Sequence, residues 1–473
     1  MSASRPAEAT ARLSLRTLLR APAAMRPRLD PRGLRIGIVH LGVGAFHRAH
    51  QAVFTEDAGD GWGICGVSQR SRTVIDQLAP QDGLYTVLTR SASEVDARVI
   101  GAVRELRFAD ASRIADPAVR VVTLTVTEKG YRHDPATGRL RLDDKGIQAD
   151  LAGGAPRTVV GQLARALAAR MDADAGPLAV VSCDNLAHNG RMLAGLVGEF
   201  VAALREERLA EWIAAQVSFP STVVDRIVPA TTLGDLAEAR RLIGLYDFGA
   251  VVTEPFKQWV IEDEFPAGRP AWEQAGALLT ADVTPYEVIK LRMLNGSHSA
   301  LAYLGALAGC ETIAEAMARF GEVPRRLMSD DVLPTVDVPG RFDIAAYQQQ
   351  LLDRFANPAL RHRTVQVAMD GSQKLPQRLL PTVRARRAAG AEPRWAALAV
   401  AAWMRWVCVA PELDDPMADR LRAAVAGASP EQVVDRLLAI PEIFGADLRE
   451  DAVVRDLLVD DLQRITVSVE GAV

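Results

Sequence analysis

From about residue 34 to residue 280 the chain alternates short, β-branched apolar runs with longer stretches of helical period. The runs LRIGIVHLG (34–42), GICGV (63–67), VRVVTLTV (119–126), LAVVSC (178–183) and GAVVTEP (249–255) end in turn-forming or polar residues, as buried strands do. Strands that alternate with helices predict a parallel sheet covered on both faces. Further on, the period becomes helical. AWEQAGALL (271–279), YEVIKLRMLNGSHSALAYLGALAG (286–309), AAYQQQLLDRF (345–355), RWAALAVAAWMRWVCV (394–409) and PEQVVDRLLA (430–439) are rich in good helix formers. The expected organisation is an α/β domain over 1–280, headed by a leader helix and loop, then a mainly α-helical domain over 281–473. At 473 residues the chain is too long for one ordinary core, which also argues for two domains.

The first strand runs directly into Gly42-Val43-Gly44-Ala45-Phe46-His47. A Gly-x-Gly turn after a first strand lets backbone N–H groups approach a pyrophosphate that a larger residue would obstruct. His47 stands where the usual fingerprint has a third glycine. Gly42, Gly44, Phe46, His47 and Arg48 are therefore the cofactor-binding candidates, His47 either contacting phosphate at the helix start or packing beneath the cofactor. No carboxylate or cysteine cluster accompanies His47 and His50, so no metal is expected. After the second strand, an acidic residue would bind the adenosine ribose of NAD. The chain instead reads Ser68-Gln69-Arg70-Ser71-Arg72, which adds Arg70 to the candidates; NAD is expected and NADP stays open.

Composition narrows the class. With 55 basic and 59 acidic residues the net charge is −4, which gives neither nucleic acid nor an anionic membrane a reason to bind. No apolar run approaches the roughly 20 residues of a membrane span. The four cysteines are scattered, as reduced thiols of a cytoplasmic protein would be.

The candidate chemistry lies in 286–298, which holds Tyr286, Lys290, Asn295, Ser297 and His298. Tyr286 and Lys290 have a Tyr-x-x-x-Lys spacing, whereas Lys290, Asn295 and His298 form Lys-x4-Asn-x2-His. On a regular α-helix Lys290 and His298 lie about 80° apart and about 12 Å along the axis, with Asn295 about 140° from Lys290. Asn-Gly-Ser inside an apolar helix breaks local preference, as sites often do. Hydride transfer at a secondary alcohol suits such a set. The hydroxyl proton must leave with the hydride, so a base must stand within reach, and a lysine serves when burial and a nearby cation lower its pKa. A neutral amide then steadies the developing alkoxide. Asp184 and Asn185 follow an apolar strand, at the sheet edge where ligands sit. Asp225 is either a site carboxylate or half of an ion pair with Arg226.

GVGAFHRAHQ, TLTVTEKGY, SCDNLAHNG, FPSTVVDRIVP, EPFKQWVIED, KLRMLNGSHSALAYLG and AMDGSQKLPQR, in order from 42 to 378, together resemble the polyol-specific long-chain dehydrogenases. That family includes mannitol 2-dehydrogenases and fructuronate (mannonate) reductases. The resemblance implies an α/β Rossmann-type N-terminal domain with a mainly α-helical C-terminal domain, a zinc-free NAD(P)-dependent reaction on a sugar alcohol or sugar acid, and a monomer. It implies that Lys290 is the general acid/base, that Asn295 and Asn185 polarise the substrate oxygen, and that His298 orients substrate. Asp225, Lys374 and Arg363 become substrate-binding candidates, and Tyr286 a packing residue. The TGxxxGxG turn of the Tyr-x-x-x-Lys enzymes is absent. Mannitol-type members carry an arginine near the place of Gln366, and this departure favours the uronate branch.

Overall fold

The computed structural model describes residues 11–135, 137–340 and 342–470. The chain forms two compact units, Met1–Val283 and Thr284–Val473.

The first unit is built on six parallel strands: β1 (Arg35–Leu41), β2 (Trp62–Ser68), β3 (Val103–Phe108), β4 (Val121–Leu124), β5 (Leu178–Ser182) and β6 (Val217–Ser218). Their spatial order, β3-β2-β1-β4-β5-β6, is that of a dinucleotide-binding sheet. The runs are apolar throughout because both faces are covered. Val39, Leu41, Val122, Leu124 and Val180 join one buried cluster with helices Val159–Asp172 and Asn189–Leu204. Ile38, Val121, Ala179 and Val181 join another with helix Gln51–Ala58 and Trp259.

Two smaller sheets were not foreseen as separate. Val251–Thr253, expected beside the other parallel runs, pairs with Tyr85–Arg90, which in turn pairs with Val95–Ile100. Thr222–Asp225, Gln258–Glu262 and Leu278–Thr280 form the third sheet. AWEQAGALL is no α-helix: it folds as a 3-10 turn, Trp272–Ala275, and the strand Leu278–Thr280. Tertiary packing overrides its helical pattern, since Trp272 is buried against Trp259, ring centroids 4.5 Å apart. The expected leader helix is also absent among the described residues. Residues 11–33 carry three 3-10 turns and an isolated bridge from Arg12 to Tyr246, and Leu13 and Leu18 do pack on the first unit; residues 1–10 lie outside the described part.

The second unit is helical. Thr284–Ile289, a π-helical turn Lys290–Asn295 and Gly296–Leu307 follow without a break. Gly296–Leu307 packs on Arg394–Val409, Ile313–Phe320 and Thr364–Val367. Gly371 lets the 368–378 stretch press on this core, because a Cβ there would lie 2.1 Å from Trp403 Nε1. All four cysteines are free thiols, and no helix among the described residues is long and apolar enough to cross a membrane.

Candidate active site

In the first unit, Leu41 of β1 stands opposite Leu124 of β4, so the chain leaves both strands at the point where the sheet's connections diverge. Gly42 follows with φ +100°, and a Cβ there would fall 2.1 Å from Thr125 O. Glycine alone satisfies both conditions. A Cβ on Gly44 would meet nothing closer than Gly42 O at 3.7 Å, so its bare backbone faces open space. That space is a cleft of about 450 Å³ lined by Gly42, Gly44, Arg48, Gln69, Arg70 and Thr125, among others. A cradle of exposed backbone at the carboxyl ends of β1, β2 and β4 fits a dinucleotide.

The far wall is strained. Thr127 sits at φ 67°, ψ 158°, which is rare for a β-branched residue. Asp184 holds it there, accepting from Val126 N (3.1 Å), Thr127 N (2.8 Å) and Tyr131 Oη (2.6 Å). Burial pushes the Asp184 carboxyl up, against these hydrogen bonds. Asp184 is thus a clamp on the cleft wall, while Asn185 beside it is exposed.

His47 and Phe46 do not line this cleft. His47 is completely buried and stacks on His40, centroids 3.4 Å apart at 14°. His40 is itself fixed by Thr123 Oγ1 (2.7 Å) and Thr125 Oγ1 (2.9 Å). Its burial against the His40 ring corrects the phosphate contact expected of His47. Burial pushes His40 down to about 3 and His47 well below the histidine range, so both rings stack uncharged. Phe46 stacks on His50, which bonds Gln258 O at 2.8 Å and is likewise pushed down to about 3. Arg48 lies in the wall, bonded through Nε to Gly44 O (3.2 Å) and through Nη1 to Gly249 O. Asp225 is buried opposite Gln258 at a strand end. Arg226 turns to the backbone carbonyls of Glu254 and Ala49.

In the second unit Lys290, 8% exposed, opens the π-helical turn. Gly296 N donates to Leu291 O, five residues back, which is the π register. The regular-helix geometry expected for this stretch is corrected accordingly. Each turn here holds one extra residue, so Lys290 and Asn295 come round to the same side instead of lying about 140° apart. Gly296 admits the neighbouring chain, since a Cβ there would stand 3.1 Å from Arg378 O. Tyr286 is buried edge-on to Phe342, centroids 5.4 Å apart, as a packing residue would be.

His298 meets the rings of His362 (4.7 Å) and Phe355 (5.5 Å). Burial, then His362, Arg378, Arg354 and Lys374, hold it well below the histidine range, so it is neutral. Burial and Arg378 also push Lys374 down, against Asp370 at 3.9 Å. The Lys374 ammonium donates to Met369 O (2.5 Å) and Val367 O (3.3 Å), and Arg378 donates to Ser299 Oγ (3.1 Å). Arg363 does not join this group. It is exposed and lines a separate hollow with Gln366, Met369 and Trp406.

His40, Arg132, Arg157, Arg354 and His362 are not marked out as site residues by the sequence. Only His40 had a local signal, a titratable ring inside an apolar strand; the others depend on loops and helices meeting in three dimensions.

A model of the mannitol dehydrogenase Rossmann domain matches residues 36–274, and one of the mannitol dehydrogenase C-terminal domain matches 282–466. D-mannonate oxidoreductase of Escherichia coli (strain K12) is 43% identical over 90% of this chain and 92% of its own length. Mannitol 2-dehydrogenase of Pyrenophora tritici-repentis is 38% identical over 94% of this chain and 82% of its own. The solved Pseudomonas fluorescens mannitol 2-dehydrogenase, a ternary complex with NAD and D-mannitol, is 37% identical, with a TM-score of 0.80 over 98% of this chain and 99% of that one. With both domains matched in order and the strand order and glycine turn to go with them, this chain belongs to the mannitol dehydrogenase family.

Proposed function

We propose that the protein is an NAD-dependent dehydrogenase that interconverts a secondary alcohol and a ketone on an acyclic sugar alcohol, as in a mannitol 2-dehydrogenase. The observation that carries this is Lys290, a buried lysine amine at the head of a π turn that brings Asn295 to its own side, in a chain of this family. The first unit holds the dinucleotide through Gly42, Gly44, Arg48 and Arg70. When bound, the nicotinamide accepts or returns the hydride.

This chain's side chains handle the rest. Lys290 takes the hydroxyl proton during oxidation and returns it during reduction. The amide of Asn295 donates to the substrate oxygen as charge grows on it, without competing for the proton. His298, neutral, donates to or accepts from a neighbouring hydroxyl and so sets the sugar's orientation. Lys374 binds a further hydroxyl.

A second reading is a hexonate substrate, oxidised as a D-mannonate oxidoreductase would do it. Arg354, Lys374 and Arg378 all act electrostatically on His298, and such a gathering of cations suits a carboxylate. Purified protein incubated with NAD and either mannitol or mannonate, followed by absorbance of reduced nicotinamide, separates the two. Turnover of mannitol supports the first, turnover of mannonate alone the second, and no rate with any polyol, aldonate or matching ketose rejects both.

A further inference from the structure

The dinucleotide cleft has an unusual charge pattern. Arg48, Arg70, Arg132 and Arg157 line it, and among the described residues no aspartate or glutamate does. Enzymes that select NAD place a carboxylate at the end of the second strand, where it accepts the adenosine ribose 2′-hydroxyl and repels a 2′-phosphate. Here the chain leaving β2 offers different groups. The Ser68 hydroxyl is turned back to Ser71 O (2.5 Å), and Arg72 lies on the Phe108 ring at 5.4 Å. Gln69 and Arg70 are what remain. The Gln69 amide atoms are buried without a hydrogen-bond partner among the described residues. The Arg70 guanidinium reaches toward the turn after β4, where a Cβ on Gly130 would stand 4.0 Å from Nη2. It has no carboxylate partner among the described residues, whereas Arg132 pairs with Asp144 (3.3 Å) and Arg48 is bonded to carbonyls.

We propose that this cleft accepts the 2′-phosphorylated dinucleotide, so that the protein binds NADP(H) at least as well as NAD(H), with Arg70 and Gln69 as the specificity-determining pair. The proposal rests on the dehydrogenase reading above and sharpens its cofactor. A 2′-phosphate brings a charge of about −2 into the cleft, and a guanidinium can meet two of its oxygens at once. Without a carboxylate on β2's end, nothing sets a penalty against it.

The test is titration of the full-length protein with NADPH and with NADH, read by nicotinamide fluorescence and needing no substrate. The expected result is an NADPH Kd equal to or below that of NADH. Arg70→Ala, at an exposed position, should shift the NADPH-to-NADH affinity ratio at least about tenfold toward NADH, the scale of one charge-assisted contact. Gln69→Glu should shift it the same way by installing the missing carboxylate. A wild-type protein that binds NADPH more weakly than NADH would overturn the proposal, as would variants that leave the ratio unmoved. Binding of neither nucleotide would instead remove the dehydrogenase reading itself.

Discussion

The cofactor cleft of the first unit is shaped by backbone, whereas the candidate chemistry of the second is carried by side chains on one helix. At Gly42 the main chain is in the left-handed region with Thr125 O against it, so the turn is determined by what is absent. At Lys290 the helix is widened by one residue, and that slip decides which side chains share a face. Backbone shape forces a residue type and is visible as a letter in the sequence. Side-chain convergence depends on hydrogen-bond register and on neighbouring elements, and no single letter records it.

Removing the reagent from one region while sparing the other gives the largest expected effect. Lys290→Ala should lower kcat by about 10²-fold or more while NADH binding changes little, since the lysine acts on substrate; steady-state kinetics beside a fluorescence titration measures both. An equal loss of cofactor affinity would merge the two regions the comparison separates. Gly42→Ala works from the other side. A methyl group must move the Thr125 carbonyl and pay left-handed strain, so about 2–4 kcal/mol of stability and most NADH affinity should go, measured by urea denaturation and the same titration.

Acid should expose the first unit's dependence on neutral rings. His40 and His50 are pushed to about 3 from an ordinary 6.5. The unfolded chain therefore takes up protons first as pH falls. The stability these rings contribute is whole above 6.5 and is lost between there and about 3. The slope is at most about 1.4 kcal/mol per pH unit for each ring. Around His50 burial dominates, the Gln258 carbonyl and Asp225 raise it, and Arg226 and Lys257 lower it. Urea midpoints at pH 7 and 4.5 should differ less in His50→Gln than in the parent. The smallest effect is expected at Tyr286→Phe, where kcat should change less than about twofold; a collapse of turnover there would hand the acid/base role to the phenol.

Much of the fold was legible. The five apolar runs all form strands, because β-branched residues buried on two faces leave an unambiguous pattern. Strands such as Val95–Ile100 and Val103–Phe108 were missed because VDARVI and VRELRF mix charged residues into partly exposed edges. For the candidate site, Gly42, Gly44, Arg48 and Arg70 were picked from the sequence and share one cleft. Lys290, Asn295 and His298 were picked as a group, but on a regular-helix geometry that the π turn replaces. The charged surroundings of His298 were only partly visible: Lys374 and Arg378 belonged to a noticed motif, whereas Arg354 comes from the helix Ile344–Phe355, with nothing in its local sequence to mark it.

The surplus residue in 290–295 has a consequence for anyone redesigning this protein. Single-letter swaps along that stretch alter one group at a time, but taking out any one position restores ordinary winding downstream. Five residues of the widened turn and four of an ordinary one both complete about one revolution, so Gly296–Leu307 would keep its place while the side chains left in 290–295 change direction. Libraries built for new sugar preferences should vary identity there and hold the length constant.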